Sequence, residues 1–277
     1  MSLSNQLNEI TEYRGIEGLV CARVLKDNNV EGEGYITGEV FSLAGVAELS
    51  RKTSSSNEAH YYDNMPAVVV SSTGADEVTI SSSAIETEAY AEISGQHYDE
   101  STGSLIEGPR EVRYFAIGYI TKKTNGDKVY VWRYKGTFNI PDSTHATENE
   151  GTDANGQEIV YTGINTTHKF TKTGKGAKAI NVDLGKDKAV VDTFFDTVTT
   201  PDSLVAKLKL NITQATGTTV TVTKNGTALV NGATLTTGDV LTISCTGGTL
   251  KVNGETFTSG QTHTVVGSVT VVSTASA

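Results

Sequence analysis

Residues 60–95 read HYYDNMPAVVVSSTGADEVTISSSAIETEAYAEISG, a polar-aromatic turn, a short strand and one helix in a row. Ser83-Ala84-Ile85-Glu86 has the form of a capping box, in which the serine hydroxyl and the glutamate each satisfy a backbone N–H at a helix start. Ile85, Ala89 and Ile93 then recur at i, i+4 and i+8 as one narrow apolar stripe, and Gly95 stands where a C-terminal cap belongs. Glu86, Glu88 and Glu92 fall mostly off that stripe. The pattern predicts a helix of about three turns, packed through Ile85, Ala89 and Ile93 on a sheet. Little else in the chain has a helical period, so the fold class expected is mainly β with one flanking α-helix and long loops.

The strongest strand pair lies downstream. Residues 111–121 (EVRYFAIGYIT) and 128–138 (KVYVWRYKGTF) flank KKTNGD, and Asn125-Gly126 between two β-rich runs is a hairpin signal. Tyr130, Trp132 and Tyr134 share one face of the second strand, and Val129, Val131, Arg133 and Lys135 share the other. In the first strand Val112, Tyr114, Ala116 and Ile120 oppose Phe115, Ile117 and Tyr119. Both faces are largely apolar or aromatic, so each needs a cover: helix and loops of the same chain, or a neighbouring subunit.

Upstream, a strand is expected near residues 18–25, then a strand-like YITGEVFSLAGVAEL. The polar run Arg51-Lys52-Thr53-Ser54-Ser55-Ser56-Asn57-Glu58 that follows has no apolar anchor and reads as a long loop, functional or plain surface. Tyr61-Tyr62-Asp63-Asn64 closes it. Two adjacent tyrosines there serve either as a turn covering a core edge or as an interface anchor. After residue 138, Ile140-Pro141-Asp142 ends the hairpin, 143–156 is acidic and turn-rich, and 158–170 offers a strand with Ile159 and Tyr161 on one face. Another short strand is expected at 180–184 and a short second helix at 189–195.

Composition shifts at Thr199-Thr200-Pro201-Asp202-Ser203, which gives domains of 1–200 and 206–277 joined by a linker at 201–205. Residues 206–277 hold 19 threonines and 9 glycines, with four basic and two acidic residues. That is a charge of about +2, which leaves −12 of the whole chain's −10 on residues 1–205. Alternating Leu208, Leu210, Ile212, then Val220, Val222, then Leu241, Ile243, broken by Asn-Gly and Gly-Asp turns, read as a small β-sandwich of six or seven strands.

A hydrophobic fraction of 37%, 28 glycines and 19% charged residues suit extended structure with many turns. The net charge of −10 argues against a protein that grips nucleic-acid phosphates. The start MSLSNQLNEITEYRG lacks the basic end and apolar run of a signal peptide, and no apolar run approaches the roughly 20 residues of a membrane helix. Cys21 and Cys245 are too few for a disulfide scaffold and are expected to be reduced and unpaired in a cytosol.

No HExxH, GxSxG, CxxC, GxxxxGK[ST] or GxGxxG after a strand occurs, and His60, His97, His145, His168 and His263 are scattered. His97, Asp99 and Glu100 lack a metal-ligand spacing. No enzyme, cofactor or metal is therefore expected. Two classes remain: an assembly subunit that contacts copies of itself, or a β-rich module binding glycan or protein. The sandwich's sole aromatic is Phe257, which favours assembly.

Tyr61-Tyr62-Asp63-Asn64, the strand and helix ending at Gly95, and Val131-Trp132-Arg133-Tyr134-Lys135-Gly136-Thr137-Phe138 together resemble the major tail proteins of long, non-contractile-tailed bacteriophages of Gram-positive hosts. The likeness covers roughly residues 15–200, and residues 206–277 look like the immunoglobulin-like domain some of these proteins carry. The resemblance implies a tail-tube fold. Six copies would form a ring whose inner sheets, carrying Tyr130, Trp132 and Tyr134, close into a continuous β-barrel, and the rings would stack around a tape-measure protein. Arg51, Lys52, Thr53, Glu58, Tyr61, Tyr62, Asp63 and Asn64 would fall on the loop reaching the adjacent ring. Tail terminator and distal-tail proteins would be further partners, double-stranded DNA would pass without sticking, and the outer domain would touch host-surface glycan. The location implied is the virion, after assembly in the host cytoplasm, with no membrane contact. A tail terminator or distal-tail hub is the alternative.

Overall fold

The aromatic hairpin forms the middle of the larger sheet. In the computed structural model, which describes residues 10–30, 34–145 and 156–275, the chain is mainly β with one α-helix among those residues. It divides into two units: residues 1–186 with 191–204, and residues 187–190 with 205–277.

The first unit holds β1 (Tyr13–Asp27), β2 (Tyr35–Ser42), β3 (Val46–Tyr62), β4 (Met65–Ser82), helix α1 (Thr87–Ser94), β5 (His97–Asp99) and β6 (Ser104–Ile106). There follow β7 (Phe115–Lys123), β8 (Lys128–Phe138), β9 (Asp142–Ser143), β10 (Gln157–Ile164), β11 (Ala179–Asp183) and a 3-10 turn at Leu184–Lys186. The main sheet runs β2-β1-β7-β8-β10-β4-β3, with β11 on β8 and β9 on β10. It curls until β3 lies back against β1. Strand β8 forks: Val129–Arg133 pair with β11, and Lys135–Phe138 pair with β10. The fork follows from a register shift, since Phe115 opposes Gly136 whereas Ile117 opposes Arg133. An extra residue on one strand bends it and leaves the ladder locally open.

Both faces of the hairpin are covered by the chain itself. Leu19, Cys21, Val78, Ile80, Ile117, Tyr119 and Val131 share the enclosed core, and Ile93 joins it from α1. On the other face Trp132 and Tyr134 are fully buried. Phe194 and Phe195 pack over Tyr130 and Trp132, and Phe170 over Tyr134. The indole Nε1 of Trp132 donates to the Phe194 carbonyl at 2.8 Å, and the Tyr134 hydroxyl to the Thr199 carbonyl at 3.2 Å.

Helix α1 is shorter than its stripe suggests, eight residues from Thr87, and the capping box does not form. Residues before Thr87 stay extended, with Glu86 at ψ 139° and no side-chain cap. The Ser83 hydroxyl instead accepts from the Gly45 N–H at 3.0 Å, and the Ile85 N–H donates to Gln157 Oε1 at 2.9 Å. Ile85 thus precedes the helix but still packs on the core beside Ala89. Gly95 caps the end in the left-handed region, φ 69°, while the Gln96 N–H reaches the Ala91 carbonyl at 2.9 Å.

Three other expectations change. The polar run 49–64 is no loop but most of β3, seventeen residues paired along β4. Residues 189–195 form no helix: Phe194 N–H to Val191 and Asp196 N–H to Thr193 are i→i+3 turns that deliver both phenylalanines to the sheet. Strand β7 starts at Phe115 rather than residue 111, leaving Val112 and Tyr114 exposed. Much of the acidic segment 143–156 lies outside the described residues.

Residues 199–203 lie in the first unit. Thr199 is buried, and Asp202 accepts the Thr171 and Lys172 N–H groups at 2.8 Å each. The second unit contains two sheets over one core of Leu210, Val222, Leu241, Ile243, Val265 and Val271. In one, Thr234–Leu235, Leu208–Thr213, Val269–Ala275, Gly248–Val252 and Glu255–Phe257 lie side by side in that order, and in the other Thr227–Leu229, Thr219–Lys224, Val240–Thr246 and Thr262–Thr264. In chain order they are β12 (Leu208–Thr213), β13 (Thr219–Lys224), β14 (Thr227–Leu229), β15 (Thr234–Leu235), β16 (Val240–Thr246), β17 (Gly248–Val252), β18 (Glu255–Phe257), β19 (Thr262–Thr264) and β20 (Val269–Ala275). That is nine strands where six or seven were expected. Asn225-Gly226 and Asn253-Gly254, all at positive φ, turn β13 into β14 and β17 into β18. Cys21 and Cys245 are free thiols. Among the described residues no helix is long and apolar enough to cross a membrane.

Candidate interaction site

Strands β3 and β4 share a ladder from Val46–Ser82 to Tyr62–Met65. At its root β4 is a central strand, held by β10 on the other side from Ser82 to Asp76. Beyond Asp76 the pairing with β10 stops, so Ser55–Tyr62 and Met65–Thr73 continue as a two-stranded ribbon. Asp63 and Asn64, at φ 48° and 63°, make the turn as a type I′ hairpin requires.

The ribbon is wet on both faces. Tyr61, Tyr62, Met65, Val68, Val69 and Val70 are each more than half exposed. Isolated two-stranded hairpins are marginal in water and gain their stability from packing on something else. Large apolar side chains gathered on a projecting arm mark a contact surface.

The residues singled out from sequence fall into two groups. Arg51, Lys52 and Thr53 sit at the root, where Lys52 opposes Glu77 and Thr53 opposes Asp76. Glu58 lies midway, opposite Val70, and Tyr61, Tyr62, Asp63 and Asn64 form the tip. Nine residues separate Thr53 from Tyr62, about 30 Å at strand rise. Root and tip therefore cannot act at one place on one molecule. Tyr130, Trp132 and Tyr134 are committed to the interior packing described above.

The root borders an open cavity of about 1140 Å³ in the fork of β8. Asp76 is its electrostatic centre. Arg133 Nη1 lies 2.7 Å from Asp76 Oδ2, Lys178 Nζ 3.2 Å from Oδ1 and Arg51 Nη1 3.7 Å from Oδ2. Arg133 Nε also donates to the Tyr119 hydroxyl at 3.2 Å, and Arg51 Nη1 to Thr53 Oγ1 at 2.9 Å. Burial pushes the Asp76 carboxyl up, but bonds from Lys178 and Thr53 and the charge of Arg133 outweigh it and hold the pKa below the usual range. Asp27 is arranged likewise: burial is outweighed by Lys135 at 2.6 Å and the Thr167 and His168 N–H groups.

Sequence reading missed Asp76, Arg133 and Lys178. The available signal was Arg133, a charge on the core-facing side of an otherwise apolar strand, which demands a buried partner.

Elsewhere, the Asp99 carboxylate is occupied by Ser101 and Thr102 within a turn. No three His, Cys, Asp or Glu side chains among the described residues come together as a metal ion would require. In the second unit Asp187 bridges Lys207 and Lys209, whose bonds bring its pKa down to about 2. Phe257 there is half-buried against His263. No protein-family model matches the chain, and neither does any curated protein.

Proposed function

We propose that this protein is a structural subunit that polymerises with copies of itself, and that the polymer is the tail tube of a long, non-contractile bacteriophage tail. The observation that carries the reading is the β3–β4 arm, an apolar-tipped ribbon that, among the described residues, pairs with no third strand beyond Asp76. Support also comes from β2, the strand at one end of the main sheet's hydrogen-bonded order. Edge strands and projecting ribbons are the usual means by which β-proteins pair with another chain.

On this reading six copies close into a ring and the arms join one ring to the next. A tape-measure protein fills the lumen during assembly, and terminator and distal-tail proteins close the ends. Double-stranded DNA later passes a wall kept from sticking by the −12 carried on residues 1–205, through repulsion screened over about 8 Å. The second unit decorates the exterior and offers its threonine-rich strands to host-surface glycan.

Negative-stain imaging of the purified protein tests the reading. Long striated tubes are the expected result. Single or paired rings would point to a terminator or hub, and monomers at every concentration would overturn self-assembly.

A further inference from the structure

Tip and cavity are complementary, and one molecule cannot join them. Among the described residues five charged side chains line the cavity: Arg51, Arg133 and Lys178 against Glu48 and Asp76, an excess of one positive charge. Arg133 is committed to Asp76 at short range, whereas Arg51 stands 3.7 Å from it with a half-exposed side chain. The uncharged wall combines apolar and aromatic side chains with the polar ones of Thr53, Thr73, Thr121, Asn165 and Asn181. The arm's tip carries one carboxylate, Asp63, between the exposed rings of Tyr61 and Tyr62 and the thioether of Met65. A single docked aspartate brings that lining to neutrality, and the tip's rings match the apolar and aromatic part of the wall, Tyr13, Ile16, Leu49, Tyr119 and Val129. A volume of about 1140 Å³ exceeds the roughly 300–1,000 Å³ of a ligand pocket and accommodates several side chains.

We infer that the Tyr61–Met65 tip of one copy docks in the β8-fork cavity of another, with Asp63 meeting Arg51. The inference rests on the self-assembly reading and adds its receptor. Since Thr53 and Asp76 form the cavity wall at the root of the same arm, the tip stands about 30 Å from its own cavity. The tip that fills it therefore comes from a second copy. Donor and acceptor are different surfaces, so the contact is heterologous and propagates from copy to copy.

The test uses the full chain under assembling conditions, with a photoreactive benzophenone side chain at position 62. Cross-linked peptides are located by mass spectrometry. Tubes whose cross-links join position 62 to residues 47–53 or 176–181 of another copy support the docking. Tubes with cross-links elsewhere, or with none, overturn the docking and leave the tube reading standing. Protein that never assembles overturns both. A second measurement guards against a probe that perturbs the tip. Asp63→Lys and Arg51→Glu each raise the concentration needed for assembly about tenfold or more, and the double variant returns it towards wild type, as charge partners do. Singles that assemble normally, or a double no better than the worse single, overturn the pairing. Thermal unfolding of each variant confirms that the subunit is folded.

Discussion

Arg133 and Asp76 face each other at 2.7 Å with side chains only 6% and 5% exposed, joining the middle of β8 to the root of the β3–β4 arm. Breaking a buried pair by removing one partner costs about 3–5 kcal/mol, because it leaves a charge without compensation. Asp76→Asn is expected to lose that much at neutral pH in urea unfolding. The carboxyl's folded pKa lies below the value of about 3.9 that it has in the unfolded chain. Its contribution is therefore complete above that pH and disappears as pH falls through the folded value. The gap between wild type and Asp76→Asn should be full at pH 7 and narrow progressively below about pH 4.

Ile93 is 1% exposed on the inner side of α1, packed into the first unit's core. Ile93→Ala should cost about 2–5 kcal/mol by chemical denaturation. Ile93→Asp buries an unpaired charge and should give no cooperative unfolding transition at all. A folded, stable Ile93→Asp protein would mean that the helix is not held by this face.

Tyr61 and Tyr62 behave oppositely. Exposed as they are, the double Ala variant should change the subunit's unfolding free energy by no more than about 0.5 kcal/mol per site. The same variant should lose assembly in sedimentation and imaging. Unfolding instead of lost assembly would move these rings from the contact surface to the fold.

Ending the chain after Leu204 removes the second unit's sandwich while retaining Thr199 and Asp202, whose bonds belong to the first unit. The truncated protein should keep a single cooperative transition and form tubes indistinguishable in diameter of wall. Failure to assemble would make the sandwich a structural element of the polymer.

How much could be read from the sequence follows from how each element is stabilised. The hairpin around Asn125-Gly126, the strand carrying Ile159 and Tyr161, and the Gly95 cap are set by local chemistry and alternation and all form, although the hairpin's first strand starts only at Phe115 and the other strand ends at Ile164 rather than residue 170. The β3 half of the arm was read as a loop because a ribbon wet on both faces has no apolar alternation, and Ser54-Ser55-Ser56 gives no strand signal. Ser83 and Glu86 have the capping spacing, but Gly45 and Gln157 take the donors and acceptors first. Those partners are 38 and 72 residues distant, beyond any local pattern. The cavity combines β3, β4, β8 and β11, so only topology assembles it, and the one local signal, the charge of Arg133 on an apolar face, was missed.

Strand β4 runs without a break from the buried Val78 and Ile80 to the exposed Met65 at the turn. A pull on the tip along the strand axis therefore loads the β4–β10 ladder in shear, all its hydrogen bonds together, rather than peeling them singly. The arm is thus anchored as a tension member, able to carry axial load from one molecule into the core of the same subunit without unzipping its sheet.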